Sequence, residues 1–209
     1  MSEHYKLYYF PFRGRAEAIR MVFHAAGVKF DDEQIAREDW STRKPTIPGG
    51  RMPVLQVTKD GQTTNYVESM AIARLFAKRF GLMGDTEDEY YKIERMIGEC
   101  ADLDKEFYQI FFAPDDKKAE TKQKAMEGNV PKMLGIITDS LTHSGGQFVA
   151  GNKVTLGDLC LLASLENVKR ADPELLKSKY PELIAHEQNV LNAKPTLASY
   201  LATRNDMPL

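Results

Sequence analysis

Tyr5-Lys6-Leu7-Tyr8-Tyr9-Phe10 is short, aromatic and closed by Pro11, the pattern of a strand stopped by a turn. Arg15 to Gly27 follows, with Ile19, Val22, Phe23 and Ala26 at helical spacing and Gly27 as a stop. Lys29 to Ile35 then reads as a second strand at a sheet edge. Strand, helix, strand implies a parallel pair. Outward from this unit, Val54-Leu55-Gln56-Val57 and Thr63-Thr64-Asn65-Tyr66-Val67 flank Asp60-Gly61, a hairpin signature. Ser69 is placed to cap a helix carrying Ile72, Leu75, Phe76 and Phe80. The order β-α-β, then β-β-α, predicts a small thioredoxin-like domain over residues 1–81. Residues 39–48, with two prolines, read as irregular.

Beyond a linker at 82–87, the pattern is helical throughout. Tyr90 to Phe112 carries Ile93, Met96, Ile97, Cys100, Leu103, Phe107, Ile110 and Phe111 along one stripe. Lys117 to Leu141 reads as one helix kinked at Pro131. Thr155 to Lys169 and Pro181 to Leu191 are further helices. The expected fold class is therefore α/β plus all-α, with a helical bundle domain over 88–209.

At 209 residues, the chain can bury a sizeable core without staples. Lys and Arg number 28 against 30 Asp and Glu, a net charge of −2, so a nucleic-acid partner is not expected. The balance is uneven, +4 over 1–81 and −6 over 82–209, which suits a small anionic ligand on the first domain. The longest apolar run, Leu159 to Ala163, is far short of the ~20 residues that cross a bilayer. Met1-Ser2-Glu3-His4 opens no apolar signal segment, and a cytoplasmic location is expected. The four histidines are scattered and the two cysteines lie 60 positions apart, so no metal site is expected. Neither a phosphate-binding glycine loop nor a Gly-x-Ser-x-Gly elbow is present. Thioredoxin chemistry needs Cys-x-x-Cys at the first helix. The place reads Tyr9-Phe10-Pro11-Phe12 instead, so any reactive sulfur must come with the ligand.

The opening strand with Arg13-Gly14-Arg15-Ala16-Glu17 resembles sigma-class glutathione S-transferases, the class that includes haematopoietic prostaglandin D synthases. The likeness runs on through Glu38-Asp39-Trp40, Met52-Pro53-Val54-Leu55, Glu68-Ser69-Met70-Ala71-Ile72-Ala73-Arg74, Phe80 to Gly84, Phe112-Ala113-Pro114 and Gly151 to Asp158. It implies glutathione as co-substrate and Tyr9 as donor to the glutathione sulfur, with Arg15 nearby. Tyr8 is the rival phenol, and strand alternation lets only one of the two see the ligand. The resemblance further assigns Trp40 and Lys44 to the glycyl end, and Gly50, Arg51, Met52 and Pro53 to the loop that pairs with the tripeptide backbone. Met52-Pro53 resembles the family's cis-proline. Glu68 and Ser69 take the γ-glutamyl end, where many relatives have Gln-Ser. Asp102 reaches the ligand's amino group from the partner subunit of a homodimer.

For the hydrophobic electrophile, Phe10, Phe12, Arg13, Tyr108, Phe111 and Phe112 are the candidates; the aromatics on the long helix read equally as core or interface. The magnesium-linked carboxylate cluster of prostaglandin synthases is not reproduced, because Gly98 and Ala101 stand at matching positions. Thr155-x-x-Asp158, flanked by Val154 and Leu159, reads as a structural capping box. The implied activity is conjugation of glutathione to hydrophobic electrophiles. Isomerisation of prostaglandin H to a D-type product is an alternative, and a ligand-carrying or crystallin-like structural role is the non-enzymatic one.

Overall fold

The computed structural model describes residues 3–206. The chain forms two compact units. One runs to Phe80 and takes in the residues from Pro195 onward; the other is Gly81–Lys194.

The first unit is built on a four-stranded sheet. Strand β1 (His4–Tyr9) leads through a 3-10 turn at Gly14–Ala16 into α1 (Glu17–Ala26), then β2 (Asp31–Gln34). Helix α2 (Trp40–Arg43) precedes β3 (Val54–Lys59), β4 (Gln62–Val67) and α3 (Ser69–Arg79). Strand order is β2-β1-β3-β4, with β2 parallel to β1 and the remaining pairs antiparallel. The β3–β4 turn has positive φ at both Asp60 (52°) and Gly61 (78°), the geometry that matches strand twist in a two-residue hairpin. The edge strand β2 reads Asp-Asp-Glu-Gln, charge that discourages further strand addition.

Alternation along β1 sends Tyr5, Leu7 and Tyr9 to one face and Tyr8 to the other. The first face packs on α1 and α3: the Tyr5 ring meets Phe23 at 5.1 Å and Phe76 at 5.8 Å, edge to face. Phe23 and Phe76 are fully buried, each contributing about 1.5–3 kcal/mol through removal from water. On the opposite face Tyr8, Trp40, Met52 and Val67 pack over Ile35, Ile47 and Val54. The segment expected to be irregular is helical in short pieces: α2, then 3-10 turns at Lys44–Thr46 and Pro48–Gly50. Pro45 and Pro48 lie in the first turns of these pieces, where no backbone N–H is needed, so they start structure rather than break it. Ser69 is also displaced from its expected role. It is the first helical residue, and Glu68 holds the cap position.

The second unit contains α4 (Glu87–Phe112), α5 (Lys118–Glu127), α6 (Asn129–Thr142), α7 (Leu156–Ala171), α8 (Leu175–Lys179) and α9 (Pro181–Ala193). Helix α4 starts three residues before the expected Tyr90. Thr86 Oγ1 accepts the Glu89 N–H at 3.2 Å, and the Glu89 carboxylate accepts the Thr86 N–H at 3.2 Å. Leu82 and Met83, in the stretch read as linker, are buried in this unit. The single kinked helix expected over 117–141 is two helices. The break falls at Gly128, and Pro131 sits in the first turn of α6, where it interrupts no helical hydrogen bond. Helix α7 is buried along most of its length. A Cβ on Gly157 would lie 2.9 Å from Val149 Cγ1 and 3.4 Å from Ile93 Cα, so glycine permits the close approach of α4.

Asp158 locks the start of α7. Its carboxylate accepts the Val149 N–H (2.9 Å), the Thr155 N–H (2.7 Å) and the Thr155 hydroxyl (2.8 Å). Buried His186 of α9 brings Nε2 to 3.2 Å from the same carboxylate.

Glu99 of α4 is the less settled carboxylate. Oε1 accepts from Ser140 Oγ at 2.7 Å, with Arg95 Nε at 3.4 Å, while buried Oε2 has no hydrogen-bond partner. Desolvation raises its pKa above the ordinary carboxylate value. The folded state therefore binds this proton more tightly than the unfolded chain. The group's stabilising contribution is full below the unfolded pKa and fades as pH rises through the folded one. Glu99→Gln keeps the Ser140 bond without the charge. In melts at pH 5 and pH 8, the variant should gain on the wild type as pH rises; a constant difference would contradict the assignment.

The helix Pro195–Thr203 (α10) packs against α1, with the Tyr200 ring stacked on His24 at 3.9 Å and Thr196 Oγ1 donating to the His24 carbonyl at 2.6 Å. A helical pattern alone does not reveal which surface the helix covers, so the sequence had grouped it with the bundle.

Candidate active site

Tyr9 ends β1 with its ring buried. Its hydroxyl accepts the Arg15 backbone N–H at 3.1 Å, which leaves the phenolic proton as a donor. Gly14 makes this approach possible. It has φ +36°, and a Cβ there would lie 2.9 Å from Tyr9 Oη and 3.4 Å from Cε1. Tyr8 faces the other way: its hydroxyl lies 3.5 Å from Gln56 Oε1, and the Lys6 ammonium sits 5.1 Å from the ring centroid.

Beside this end of the strand lies a cavity of about 140 Å³ lined by Arg15, Arg51, Met52, Pro53, Glu68 and Ser69. All six were singled out in the sequence, and they come from three separate stretches of chain. The Met52–Pro53 bond is cis. Glu68 adopts φ 68°, ψ 105°, a region that non-glycine residues occupy at a cost of roughly 1–3 kcal/mol. Its carboxylate pairs with Arg51 at 3.2 Å, both side chains being largely exposed. The cavity thus offers two guanidinium groups, one carboxylate and the first turn of α3, where N–H groups lack intrahelical partners. Those are complements for a ligand carrying carboxylates and an ammonium group.

Half-buried Trp40 contacts Phe10 edge to face at 5.6 Å, and Phe10 lies 5.7 Å from the Tyr9 ring. A Cβ on Gly50 would meet the Lys44 side chain at 3.7 Å, so those two candidates are adjacent. Arg13 is buried, and the loop around it depends on a residue that sequence reading missed. Arg20, fully buried on α1, hydrogen-bonds the carbonyls that follow Tyr9. A single arginine in an amphipathic pattern gives no hint of such burial.

The remaining candidates belong to the second unit. Asp102 is exposed on α4 and pairs with Lys105 at 2.6 Å. Tyr108 and Phe111 are partly buried near the end of α4, and Phe112 is 70% exposed. Both cysteines are buried, and burial pushes the Cys100 thiol well up, away from the nucleophilic form. Among the described residues, no group of three or more His, Cys, Asp or Glu is placed to hold a metal, and no helix is long and apolar enough to cross a membrane. A larger groove of about 620 Å³ beside His24 and Tyr200 is lined by none of the candidates; in its wall His4 pairs with Asp31, and Asp32 pairs with Arg20.

A thioredoxin-like domain without cysteines at its first helix, with a phenol and a charged cavity there instead, followed by a helical domain, defines the class of glutathione-dependent transferases. Residues 4–77 match the family model described as glutathione S-transferase, N-terminal domain, and residues 101–204 the corresponding C-terminal domain. The chain is 45% identical over 208 residues to the glutathione S-transferase class-mu 28 kDa isozyme of Schistosoma haematobium, covering 99% of each chain. It is also similar to a sigma class glutathione S-transferase of Fasciola hepatica, with 47% identity, 99% coverage of both chains and a TM-score of 0.93. The structure of rat hPGDS complexed with a quinoline matches at 30% identity and TM-score 0.84, over 99% of this chain and 100% of that one. The chain belongs to the glutathione S-transferase family.

Proposed function

We propose that this chain is a glutathione transferase in which Tyr9 holds the glutathione sulfur as thiolate for attack on a hydrophobic electrophile. The observation that carries this reading is the Tyr9 hydroxyl, engaged as acceptor by Arg15 N–H and free to donate, beside a cavity lined by Arg15, Arg51, Met52, Pro53, Glu68 and Ser69. Glutathione is the co-substrate. Its cysteinyl backbone pairs with the Met52 main chain, its γ-glutamyl carboxylate with Ser69 and the N-terminus of α3, and its ammonium with Glu68. Lys44 and Trp40 take the glycyl end, with Gly50 allowing close approach. Arg15 supports the developing charge near the sulfur. Phe10, Arg13, Tyr108, Phe111 and Phe112 are the proposed contacts of the electrophile.

The reaction balances without any group from outside the two substrates. The thiol proton leaves to solvent, the sulfur lone pair forms the new carbon–sulfur bond, and the electrophile releases its leaving group or takes up a proton.

The class we assign is sigma, on the likeness to the Fasciola hepatica enzyme. The native form is a cytoplasmic homodimer in which Asp102 of one subunit completes the other's glutathione site. Asp102→Ala should raise the glutathione KM several-fold while leaving the Tyr9-dependent pH profile in place; an unchanged KM would remove Asp102 from the site. The likeness to rat hPGDS favours a second activity, isomerisation of prostaglandin H to a D-type product by the same thiolate, which product analysis with purified protein decides.

Gly14→Ala provides a separate check. Alanine at φ +36° is strained by about 1 kcal/mol, and its methyl displaces the Tyr9 hydroxyl. Conjugation of a chromogenic aryl halide should fall about tenfold, since a loss near 1.4 kcal/mol of transition-state stabilisation is tenfold in rate. Wild-type turnover in this variant would show that the contact does not matter.

A further inference from the structure

We propose that the groove between the end of α1, the start of β2 and α10 is a second ligand site, built for a planar aromatic carboxylate and separate from the candidate active site. The proposal does not rest on the transferase reading.

Every residue lining the groove lies in the first compact unit. Its volume of about 620 Å³ falls within the ~300–1,000 Å³ of small-molecule sites. One wall is aromatic. The Tyr200 ring stacks on His24 at 3.9 Å with 10° between planes, and Phe30 meets His24 edge to face at 5.4 Å. Val28 and the stem of Lys29 extend this apolar surface. Hydrogen bonds fix the wall from behind: the Tyr200 hydroxyl lies 3.0 Å from Glu17 Oε1, and Thr196 Oγ1 donates to the His24 carbonyl at 2.6 Å. A surface already held in place accepts a flat ring with little ordering left to do.

The polar groups set the charge of the ligand. Asp31 Oδ2 is hydrogen-bonded to His4 Nε2 at 2.9 Å. Asp32 takes Arg20 on both oxygens, at 2.9 and 3.4 Å, and Oδ2 also accepts from Gln34 Nε2 at 3.0 Å. Both carboxylates are thus supplied with donors. The uncommitted groups are donors instead. Among the described residues, exposed Lys29 has no ion pair or hydrogen bond, and neither ring nitrogen of His24 has a hydrogen-bond partner. Burial lowers the His24 pKa below the ordinary histidine value, so the ring is neutral at pH 7 and offers one N–H. An ammonium and an imidazole N–H beside an aromatic wall complement an anionic group on a flat apolar body.

The experiment titrates the full chain with naphthoate, naphthalene carboxamide and naphthylmethylammonium, three probes that share a ring system and differ in charge. Heat of binding gives the affinity. The ring resonances of His4, His24, His143 and His186, with His24 assigned by His24→Phe, give the location, since no histidine belongs to the candidate active site. Naphthoate is expected to bind with a Kd below about 1 mM, at least about threefold more tightly than either other probe. The His24 resonance should move while those of His143 and His186 stay, and saturating S-hexylglutathione should leave the titration unchanged. Lys29→Ala should weaken naphthoate about three- to fivefold, the factor one exposed ion pair supplies, and leave the carboxamide as it was. Lys29→Glu should reverse the order of naphthoate and naphthylmethylammonium. No binding by about 1 mM, an unmoved His24 resonance or displacement by S-hexylglutathione would overturn the site. Equal affinity for carboxamide and naphthoate, preference of the wild type for the ammonium probe, or an indifferent Lys29→Ala would overturn the proposed ligand class and the proposal with it. Absence of transferase activity overturns the transferase reading and leaves this one to be decided by the same titration.

Discussion

Tyr9→Phe is expected to move the ionisation of bound glutathione upward by one to two pH units and to cut aryl-halide conjugation by an order of magnitude or more at pH 6.5. A thiol in water ionises near pH 8.5, and bringing it to about 6.5 requires roughly 2.7 kcal/mol of preference for the thiolate. One hydrogen bond to a charged acceptor is worth about 1.5–3 kcal/mol, so a single phenol can supply most of it. The geometry suits that task. The hydroxyl's lone pair is taken by Arg15 N–H at 3.1 Å, so its proton points elsewhere. The sign of the pH effect follows. With the donor present, the thiolate persists down to the lowered pKa; without it, thiolate forms only near the free-thiol value. At pH 6.5 the ionised fraction would fall from about one half to about one per cent, while at pH 9 the two proteins would differ little. The deficit should therefore shrink as pH rises. A deficit independent of pH would mean that Tyr9 acts through packing. Tyr8→Phe, on the opposite face of the strand, should leave the profile unchanged.

The second large effect is on stability. Asp158→Ala removes a fully buried carboxylate that accepts two backbone N–H groups and one hydroxyl. Each donor then lies buried and unpaired, at about 1–3 kcal/mol apiece before any relaxation. His186 Nε2, 3.2 Å from the carboxylate, loses its neighbour as well. A loss of about 3–5 kcal/mol is expected, the range for breaking a buried charged contact. For a chain of this length that is on the order of 10 °C in Tm. Thr155→Ala should lose only about 0.5–2 kcal/mol, because Asp158 keeps its two backbone donors. Folded Asp158→Ala should bind glutathione with an unaltered thiol pKa. A melting temperature within a degree or two of wild type would refute the structural role.

The strands and the long helices were legible in the sequence because local chemistry marked their ends: Pro11 after β1, Gly27 after α1, Asp60-Gly61 between β3 and β4. The errors came from the same residue types used differently. Pro45, Pro48 and Pro131 signal a break when read alone, yet each sits in a first turn. Gly128, which does break the chain between α5 and α6, carried no stronger signal than the glycine tolerated in α6, Gly135. For the site, period and composition reached only Tyr8 and Tyr9 as rivals on opposite faces. The cavity residues are separated by up to 54 positions between Arg15 and Ser69, and only the likeness to a family linked them before the backbone did. Arg20 escaped both routes, since its partners are main-chain carbonyls, which no sequence pattern displays.

Glu68 holds its carboxylate at the cavity rim by way of a positive-φ backbone that strains glycine less than glutamate. Screening a mutant library for heat resistance alone should thus enrich glycine at position 68. The winners would melt later and grip the tripeptide's ammonium less well, so durability and affinity pull in opposite directions at this one peptide unit.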